Sequence, residues 1–425
     1  MKNKIIEFIS FLLIILLFIL MFISSIRITY LKFNLESYSN HLILIGILGL
    51  IIYIISKIKN FKLNKYEIII FILMILSSLS LINALNLNEA LFGRMGRNEG
   101  LFVILTYYIL ILLSMNIKNK KYIYIIITCI LLMGFLNIFY GLLQVSILKL
   151  PFIKVVNSWI YARGFLGNSM FYGSLMSICY PLILGIFIKT DNLVKKVISY
   201  ILVLIFSLGL IISGSMSSYV AVIFTFLLII LDSIYLIIKK YKYSYTNLIF
   251  LFFGIISFIS ILLFITFNNN TLKSDLLELT NQSSNISKGE IKEDFGTGRI
   301  YIWKNTLSKI KENYLTGVGI DNFYNVFNPP LIDSISGFPV DKAHNDYLQK
   351  MLCEGVFSGS LFIIFLLIVF FSNLFKKKNS YLFGLFLAFT SYSIQSFFNI
   401  SVTRVAPIYF VIIGLLIAKG GKNES

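Results

Sequence analysis

The sequence predicts an all-α polytopic membrane protein with about twelve transmembrane helices and one long extracytoplasmic loop between the ninth and the tenth. Hydrophobic residues make up 58% of the 425-residue chain and charged residues only 13%, whereas soluble domains carry about 25% charged residues. So few charges cannot cover a surface that faces water, although they suffice for one that faces lipid. The sequence lacks the alternating segments of a membrane β-barrel, so the spans are predicted to be helical.

Twelve apolar runs are candidates for these helices, because a bilayer core requires about 20 apolar residues per helix, within a range of roughly 17–25. The shorter runs are expected to extend into their flanks. The basic start of the chain resembles a secretory signal but has no small-residue cleavage site, so we expect an uncleaved first span. The predicted spans are residues 5–23, 42–55, 68–84, 101–113, 122–148, 170–188, 197–212, 219–238, 248–267, 356–371, 382–398 and 406–418.

The basic residues orient these spans. With a cytoplasmic N-terminus, 20 of the 37 lysines and arginines fall in cytoplasmic segments, eight in short loops on the other side, and nine in or just after the long loop. Cytoplasmic loops carry an excess of basic residues, and long loops have little influence on orientation. We therefore expect an even number of spans, with both termini on the cytoplasmic side of the cytoplasmic membrane of a bacterium.

Residues 268–343 are the one segment long enough to fold outside the bilayer. They begin with a polar stretch, 268–292, whose composition is typical of disorder. An amphipathic helix is predicted next, from apolar residues at offsets of 0, 3, 7 and 10. Those residues are Ile300, Trp303, Leu307 and Ile310. We predict a bundle of helices 1–9 (residues 1–267), the extracytoplasmic loop (268–343) and a bundle of helices 10–12 (344–425).

Composition and motifs exclude several classes of function. The net charge of +18 comes from short basic runs between apolar stretches, not from a clustered surface of the kind that binds nucleic acid. Three widely separated cysteines and two histidines predict neither a disulfide framework nor a zinc site. No nucleotide-binding P-loop motif is present, so the chain is not an ATP-driven pump by itself. We expect no metal and no cofactor.

The two histidines have different surroundings. His41 opens the second predicted span, where an amphipathic ring suits the membrane interface. His344 stands at the end of the long loop, just before a span. It is either an interface residue at a helix start or a general base, since an unperturbed imidazole can accept a proton near neutral pH.

Arginine is scarce, with six residues against 31 lysines, and all six lie on the extracytoplasmic side of the predicted topology. Guanidinium groups make bidentate contacts with phosphate oxygens. Arg299 begins the predicted loop helix, whose positive dipole end also favours an anion; the alternative is a solvated arginine on an exposed face. Arg163 precedes the sixth span from the same side. The other four are Arg27, Arg94, Arg97 and Arg404.

Two carboxylates in apolar surroundings require partners, because an ionised group is costly at membrane depth. Glu354 lies at the start of the tenth span, where packing against an arginine and a catalytic role explain it equally well. Asp232, near the inner end of the eighth span, is expected to pair with Lys239 or Lys240.

Several motifs resemble those of the O-antigen ligase and polysaccharide polymerase family. The resemblance extends from about Leu91 to the C-terminus, and its arginine and histidine blocks are its most specific parts. The motifs are LFGR at 91–94, RNEG at 97–100, RGFLGN at 163–168, GRIYIW at 298–303, LTGVG at 315–319, NF at 322–323, HNDYL at 344–348 and EG at 354–355.

The resemblance implies a metal-independent, inverting glycosyltransferase of the GT-C type that works at the outer face of the membrane. Its partners would be a glycan donor on undecaprenyl pyrophosphate, a glycan acceptor and membrane lipid. By matching positions, Arg163 and Arg299 would bind the pyrophosphate, and His344 would activate the acceptor hydroxyl. The candidate supporting residues are Asn345, Trp303 and Glu354.

One position departs from the family pattern. Met216, in the run SGSMSS at 213–218, stands where the family commonly has an arginine. One phosphate contact is therefore absent or is supplied from elsewhere. Arg94 and Arg97 are further candidates for pyrophosphate binding.

Three other classes of protein are alternatives to a polysaccharide ligase or polymerase. A flippase for the same lipid-linked glycan would place polar sites at mid-membrane and show internal repeats, and the sequence has neither. A protein O-oligosaccharyltransferase would use the same donor. A structural membrane subunit leaves the histidine and arginine motifs unexplained. The sequence does not distinguish ligation from polymerisation.

Overall fold

The computed structural model describes residues 2–31, 35–58, 62–145, 161–239, 244–267, 277, 298–332, 337–374, 376 and 379–420. All regular elements within these ranges are helices. In chain order the α-helices are α1 (Lys2–Leu31), α2 (Leu35–Lys57), α3 (Lys65–Leu79), α4 (Leu87–Phe92), α5 (Leu101–Ser114), α6 (Lys120–Val145), α7 (Ser169–Lys189), α8 (Leu193–Ile212), α9 (Met216–Ile238), α10 (Ser244–Phe267), α11 (Arg299–Glu312), α12 (Asp346–Glu354), α13 (Val356–Leu374), α14 (Ser380–Phe397) and α15 (Ala406–Gly420).

Eight of the described helices are long and apolar enough to cross a membrane, namely α1, α2, α3, α6, α7, α8, α9 and α13. Shorter apolar helices, within α5, α10 and α15, lie at the predicted fourth, ninth and twelfth spans. Helix α14 lies at the predicted eleventh span. The prediction of an all-helical polytopic membrane protein is confirmed, whereas the number twelve and the GT-C arrangement stay predictions.

Helix α7 is the central helix of the bundle. Of its most apolar window, 89% is buried inside the protein, and it packs along α14, α8 and α9. It approaches α14 closely at Gly185 and Gly384, where a Cβ added to Gly185 would lie 2.7 Å from the Gly384 Cα. Any larger side chain at this crossing would separate the two helices. The crossing matters for the site because the segment that follows the C-terminal end of α14 forms part of it.

The ion pair of Asp232, at the C-terminal end of α7, differs from the predicted one. Asp232 of α9 pairs with Lys189 of α7 at an Nζ–Oδ2 distance of 2.9 Å, so the expected partner Lys239 was wrong. The reason is tertiary, since α7 packs against α9 and brings a lysine from another helix alongside Asp232. The other expected partner, Lys240, lies outside the described residues.

The described residues of 298–354 form a layer at the opposite end of α7, here called the loop layer. This layer has its own hydrophobic core, separate from that of the bundle; its buried members are Ile302, Ile310, Val318, Phe323, Leu331, Val340, Ala343, Leu352 and Cys353. The core includes α12, which the predicted domain division assigned to the second bundle; that division stays a prediction. Of the polar stretch 268–292, all but residue 277 lies outside the described residues.

Helix α11 confirms the amphipathic helix predicted in the loop, but with a different buried face. Its buried residues are Ile302, Thr306 and Ile310, whereas the predicted face included Leu307, which is 49% exposed. The difference arises because α11 packs against α12, and that contact selects the stripe of residues at spacing four.

The segment after α11 docks on the C-terminal end of α12. The backbone N–H groups of Val318 and Gly319 donate to the carbonyls of Leu352 and Cys353, at 3.1 and 3.0 Å. These bonds satisfy carbonyl groups that have no partner within a helix. Gly317 has φ of +71°, and a Cβ there would lie 2.6 Å from the Cys353 carbonyl, so the docking requires glycine.

Candidate functional site

Arg97 and His344, two of the predicted site residues, lie where the loop layer meets the helix ends of the bundle. Three segments meet there: 93–100 before α5, 341–347 entering α12, and 398–405 between α14 and α15. Hydrogen bonds join all three, since Glu99 accepts from Lys342 and from Ser401. We call this junction the site.

Arg97 is fixed by a bidentate ion pair with Asp341. Its Nε lies 2.7 Å from Oδ2 and its Nη2 lies 2.9 Å from Oδ1. Burial alone would raise the pKa of Asp341, but the hydrogen-bonded Arg97 guanidinium and the nearby charges of Lys342 and His344 hold that pKa below its ordinary value. The carboxylate is therefore ionised at neutral pH, and its negative charge interacts with both Arg97 and His344.

Lys342 and Glu99 form a buried ion pair beside that contact. Their Nζ–Oε2 distance is 2.5 Å, and each side chain is 4% exposed. Glu99 also accepts from the Tyr107 hydroxyl at 2.9 Å and from the Ser401 hydroxyl at 2.5 Å. A charge withdrawn from water requires such partners, and this network ties the loop layer to α5 and to the 398–405 segment.

Two further carboxylates lie beside the pair, namely the buried Asp321 and the half-buried Asp346. Asp321 lies 3.6 Å from the Lys342 Nζ and accepts the backbone N–H of Arg94 at 2.7 Å. Asp346, the first residue of α12, accepts the backbone N–H of Ser401 at 2.5 Å. Burial, followed by the negative charge of Glu99, raises the pKa of Asp346 from 3.8 to about 7. Asp346 is thus a group of the site that can exchange a proton near neutral pH.

His344 is held by its neighbours in the chain. Its φ is +50°, a left-handed conformation uncommon for a residue other than glycine. On one side, Ala343 donates its N–H to Gln349 at 2.8 Å and accepts from the Trp303 indole at 3.1 Å. On the other side, Asn345 caps α12 by accepting backbone N–H groups. The half-buried imidazole therefore projects from a fixed backbone.

Trp303 connects α11 to the end of α14. Its ring packs edge-on against Phe397 with the centroids 5.4 Å apart, and lies 6.3 Å from Phe398. Because the same indole bonds to the carbonyl before His344, α11 and α14 together position the histidine. The predicted supporting residues Trp303 and Asn345 both lie at this point.

The remaining predicted arginines occupy different positions. The Arg94 guanidinium lies over the Tyr324 ring, 3.5 Å from its centroid. Arg299 is half-buried at the start of α11, after Gly298 in the left-handed region. Arg163 is exposed, at the N-cap of the short 3₁₀ helix Gly164–Leu166. The structure thus brings Arg97 and His344 into one network, whereas no described contact joins the Arg163 side chain to it.

Two buried amides hold the Arg163 segment in place. Gln144 accepts the backbone N–H groups of Arg163 and Gly164, at 3.0 and 2.8 Å. Asn137 accepts the N–H of Phe165 at 3.0 Å. Both amides belong to α6, so an otherwise apolar span fixes the backbone that presents Arg163. The sequence signal was a polar amide on each of two turns of an apolar helix, and neither amide was predicted to support the site.

Glu354 has several partners in the structure. It lies 2.5 Å from the Lys350 Nζ and accepts hydroxyl hydrogen bonds from Ser77 and Ser358. The arginine partner, one of the two explanations drawn from the sequence, was wrong, because the lysine one helical turn earlier on α12 pairs with the carboxylate. These partners link α3, α12 and α13.

A cavity of about 90 Å³ lies beneath these ion pairs. Glu99, Lys342 and Asp346 form part of its polar wall, and Phe362, Leu366 and Phe410 part of its apolar wall. Space of this size can hold several water-sized groups, since one requires about 10–15 Å³. The cavity leaves room for water or for a small polar group beside Glu99 and Asp346.

A buried polar cluster lies around the position where the family arginine was expected. Ser215 and Ser217, on either side of Met216, join Ser174 of α7 through the side-chain amide of Gln395, which lies 2.9 Å from the Ser174 hydroxyl. Asn399 also donates to Ser174 at 3.1 Å. Among the described residues, neutral polar side chains between α7, α9 and α14 thus occupy this region in place of a cation. The serine-rich run at 213–218 was the sequence signal for it.

Three members of the site were not assigned a role from the sequence. Lys342 and Asp346 flank the histidine in its motif, and Glu99 follows Arg97 in another motif. A lysine and a glutamate 243 positions apart carry no mutual signal, because only folding brings them together. The available signal was the placement of charges directly beside predicted spans, where an unpaired charge is costly.

Comparison with known families bears on this geometry. No curated protein matches the chain. The family model described as O-Antigen ligase matches residues 201–363, which include Arg299, His344 and Glu354 and exclude Arg97 and Arg163. Residues 201–363 are therefore similar to the O-antigen ligase family, which confirms the family resemblance drawn from the sequence motifs.

Proposed function

We propose that the protein transfers a glycan from a polyprenyl-pyrophosphate carrier, of the undecaprenyl type, to a sugar hydroxyl at the outer face of a bacterial cytoplasmic membrane. The reaction would build a cell-surface polysaccharide. The family match over residues 201–363 supports an O-antigen-ligase-like function. We further propose the donor, the acceptor, the inverting course of the reaction and the orientation of the protein in the membrane.

The observation that carries the proposal is the placement of His344. Its backbone is anchored on both sides, through Ala343 and Asn345. The charge of His344 also lowers the pKa of Asp341. A carboxylate near an imidazole stabilises the imidazolium that forms when the ring accepts a proton. His344 therefore suits the role of general base toward an acceptor hydroxyl.

The reaction would proceed in one displacement. His344 removes the proton of the acceptor hydroxyl, and the resulting oxygen attacks the anomeric carbon. The bond from that carbon to the pyrophosphate oxygen breaks, and the electron pair leaves with the carrier pyrophosphate. A single in-line attack inverts the configuration at the anomeric carbon. The proton stays on the imidazole until solvent removes it.

The leaving group requires positive charge, which guanidinium groups can supply without a metal. We propose Arg299, half-buried at the start of α11, and the exposed Arg163 for this role. Arg94 and Arg97 are less available, because Arg94 lies on the Tyr324 ring and Arg97 is paired with Asp341. We therefore assign Arg94 to the framework of the site, whereas Arg97 can contact the leaving group only through the N–H groups outside its bidentate pair with Asp341.

The base assignment is tested with His344→Ala in purified full-length protein. We expect the variant to bind lipid-linked donor with unchanged affinity and to lose transfer, because only proton removal is affected. His41→Ala, a change of the other histidine, which is exposed on α2, is the matched control and should retain transfer. Transfer by His344→Ala at the wild-type rate would disprove the role.

The donor assignment is tested with Arg299→Ala. Loss of one charge-assisted contact is expected to cost about 1.5–3 kcal/mol, roughly a tenfold to hundredfold weaker donor binding. Lys304→Ala removes a charge from an exposed position on the same helix and should leave donor affinity unchanged. Equal donor affinity in Arg299→Ala and wild type would count against the assignment.

Transfer in the presence of a chelator tests the proposed metal independence.

A further inference from the structure

Arg404, between α14 and α15, is a buried cation with unused hydrogen-bond donors. Only 7% of the residue is exposed, and its Nε and Nη1 atoms have no hydrogen-bond partner among the described residues. Its backbone is fixed, because the Tyr38 hydroxyl donates to the Thr403 carbonyl at 3.0 Å. The side chain is therefore held in a buried position that its own contacts do not explain.

The local contacts do not offset the cost of burying this charge. Burial lowers the pKa of Arg404 from its ordinary value to about 10, so the guanidinium stays charged at neutral pH. Its aromatic neighbour is Phe171, whose ring centroid lies 5.9 Å away. A cation–π contact at this distance offsets only a small part of the cost of burying an unpaired charge. A missing partner of opposite charge would resolve the imbalance.

Arg404, which carries these unused N–H donors, lines a small cavity. The cavity is about 20 Å³ in volume, and its lining includes Arg97, Lys342 and Arg404 on the cationic side and Glu99 as the one carboxylate. Lys342 is balanced by Glu99 and Arg97 by Asp341, which leaves Arg404 as the unbalanced charge of the described lining. A water-sized group requires about 10–15 Å³, so one or two oxygen atoms of a larger anion fit.

Phe171 places this cavity next to the beginning of α7. Arg97 lies over the same ring as Arg404, 6.0 Å from its centroid, so the two guanidinium groups flank one aromatic side chain. A tetrahedral oxyanion can place one oxygen at Arg404 while others face Arg97 and the surroundings of the site. A carboxylate, with only two oxygens in one plane, fits this arrangement less well.

We propose that this cavity binds a phosphate-class oxyanion, with Arg404 as its principal ligand and Arg97 as the second. As an extension that rests on the proposed function, the anion is the pyrophosphate of the lipid-linked donor. The same chemistry is offered by the head-group phosphate of an anionic phospholipid, and the experiment separates the two sources.

The test measures thermal unfolding of the purified full-length protein against inorganic pyrophosphate, undecaprenyl pyrophosphate and phosphatidylglycerol, each added separately in neutral detergent. Wild type should show a Tm that rises with pyrophosphate concentration, because a ligand that binds the folded state stabilises it. Arg404→Gln should lose that rise, and Arg404→Lys should require at least about tenfold more pyrophosphate, since lysine keeps the charge but not the fork. Lys309→Gln, which removes an exposed charge from α11, should respond as wild type.

The unliganded Tm separates a ligand-binding arginine from a structural one. Arg404→Gln should unfold at the same temperature as wild type or higher without ligand, because it removes an unpaired buried charge. A response confined to phosphatidylglycerol and lost in Arg404→Gln would identify a lipid head group as the source. A wild-type response of Arg404→Gln to all three probes, or no response of wild type to any, would overturn the proposal.

This result is distinguishable from a failure of the proposed function. If Arg404→Gln responds as wild type while His344→Ala loses transfer, the anion site is wrong and the transferase stands. If Arg404→Gln loses the pyrophosphate response while wild type transfers no glycan, the anion site stands and the transferase is wrong.

Discussion

Lys342 and Glu99 are 243 positions apart in the chain, and their Nζ and Oε2 atoms lie 2.5 Å apart in the folded protein. This pair joins the loop layer to the beginning of α5, directly beside the segment that carries His344. It therefore contributes both to stability and to the placement of the proposed base, and the two contributions can be measured separately.

Removing one member of this pair should destabilise the protein strongly. Lys342→Met leaves Glu99 buried without its counter-ion, at a cost of about 3–5 kcal/mol, whereas Glu99→Gln should cost less because Asp321 stays 3.6 Å from the Lys342 Nζ. The double variant should be less destabilised than the sum of the two single ones, because neither charge then remains. Thermal unfolding in detergent measures this. Lys309→Met, at a pair whose members are 32% and 54% exposed, should change Tm little. Additive effects of Glu99→Gln and Lys342→Met would show that the two side chains are not coupled.

Asp346 should make stability depend on pH. Its folded-state pKa is raised from 3.8 to about 7, so the folded protein binds this proton more tightly than the unfolded chain does. The stabilisation is present below about pH 4 and is lost as the pH rises through about 7. Asp346→Asn keeps an oxygen acceptor for the Ser401 N–H but does not titrate. The wild-type Tm should therefore fall more steeply than that of Asp346→Asn between pH 5 and pH 8, and parallel curves would contradict the shift.

Trp303→Phe should weaken the placement of His344 while the ring stays in contact with Phe397. The indole hydrogen bond to the Ala343 carbonyl is lost, at about 0.5–1.5 kcal/mol. We expect a lower kcat with donor affinity nearly unchanged, measured by transfer and donor-binding assays on the same preparation. Leu307→Ala, at an exposed position of the same helix, is the control and should retain kcat. An unchanged kcat in Trp303→Phe would show that the hydrogen bond does not position the histidine.

Glu354→Gln should separate a supporting role from a catalytic one. Lys350 then loses its buried counter-ion, so Tm should fall, by an amount corresponding to about 3–5 kcal/mol. Transfer per folded molecule should be unchanged, because the carboxylate is bonded to Lys350, Ser77 and Ser358 and serves the packing of α3 on α12 and α13. Glu312→Gln, at an exposed pair, is the matched control for loss of an acidic group. Loss of transfer with an unchanged Tm would instead assign Glu354 to the chemistry.

The sequence by itself determined the helical membrane class, the family resemblance, and the helix at 299–312. These features rest on local quantities, namely the apolar content of a 20-residue window, the spacing of apolar residues and the identity of neighbouring residues in a motif. It also singled out His344 and the arginines, because rare residue types stand out in a lysine-rich, apolar chain.

Only the tertiary structure decided which charges meet. Asp232 pairs with Lys189 from another helix, Glu354 with Lys350, and Lys342 with Glu99. The structure also chose the buried face of α11 and enclosed Arg404 beside Phe171, with no counter-ion among the described residues. Coulomb energy and desolvation depend on distances through space and on burial, and neither is encoded in the spacing of residues along one segment.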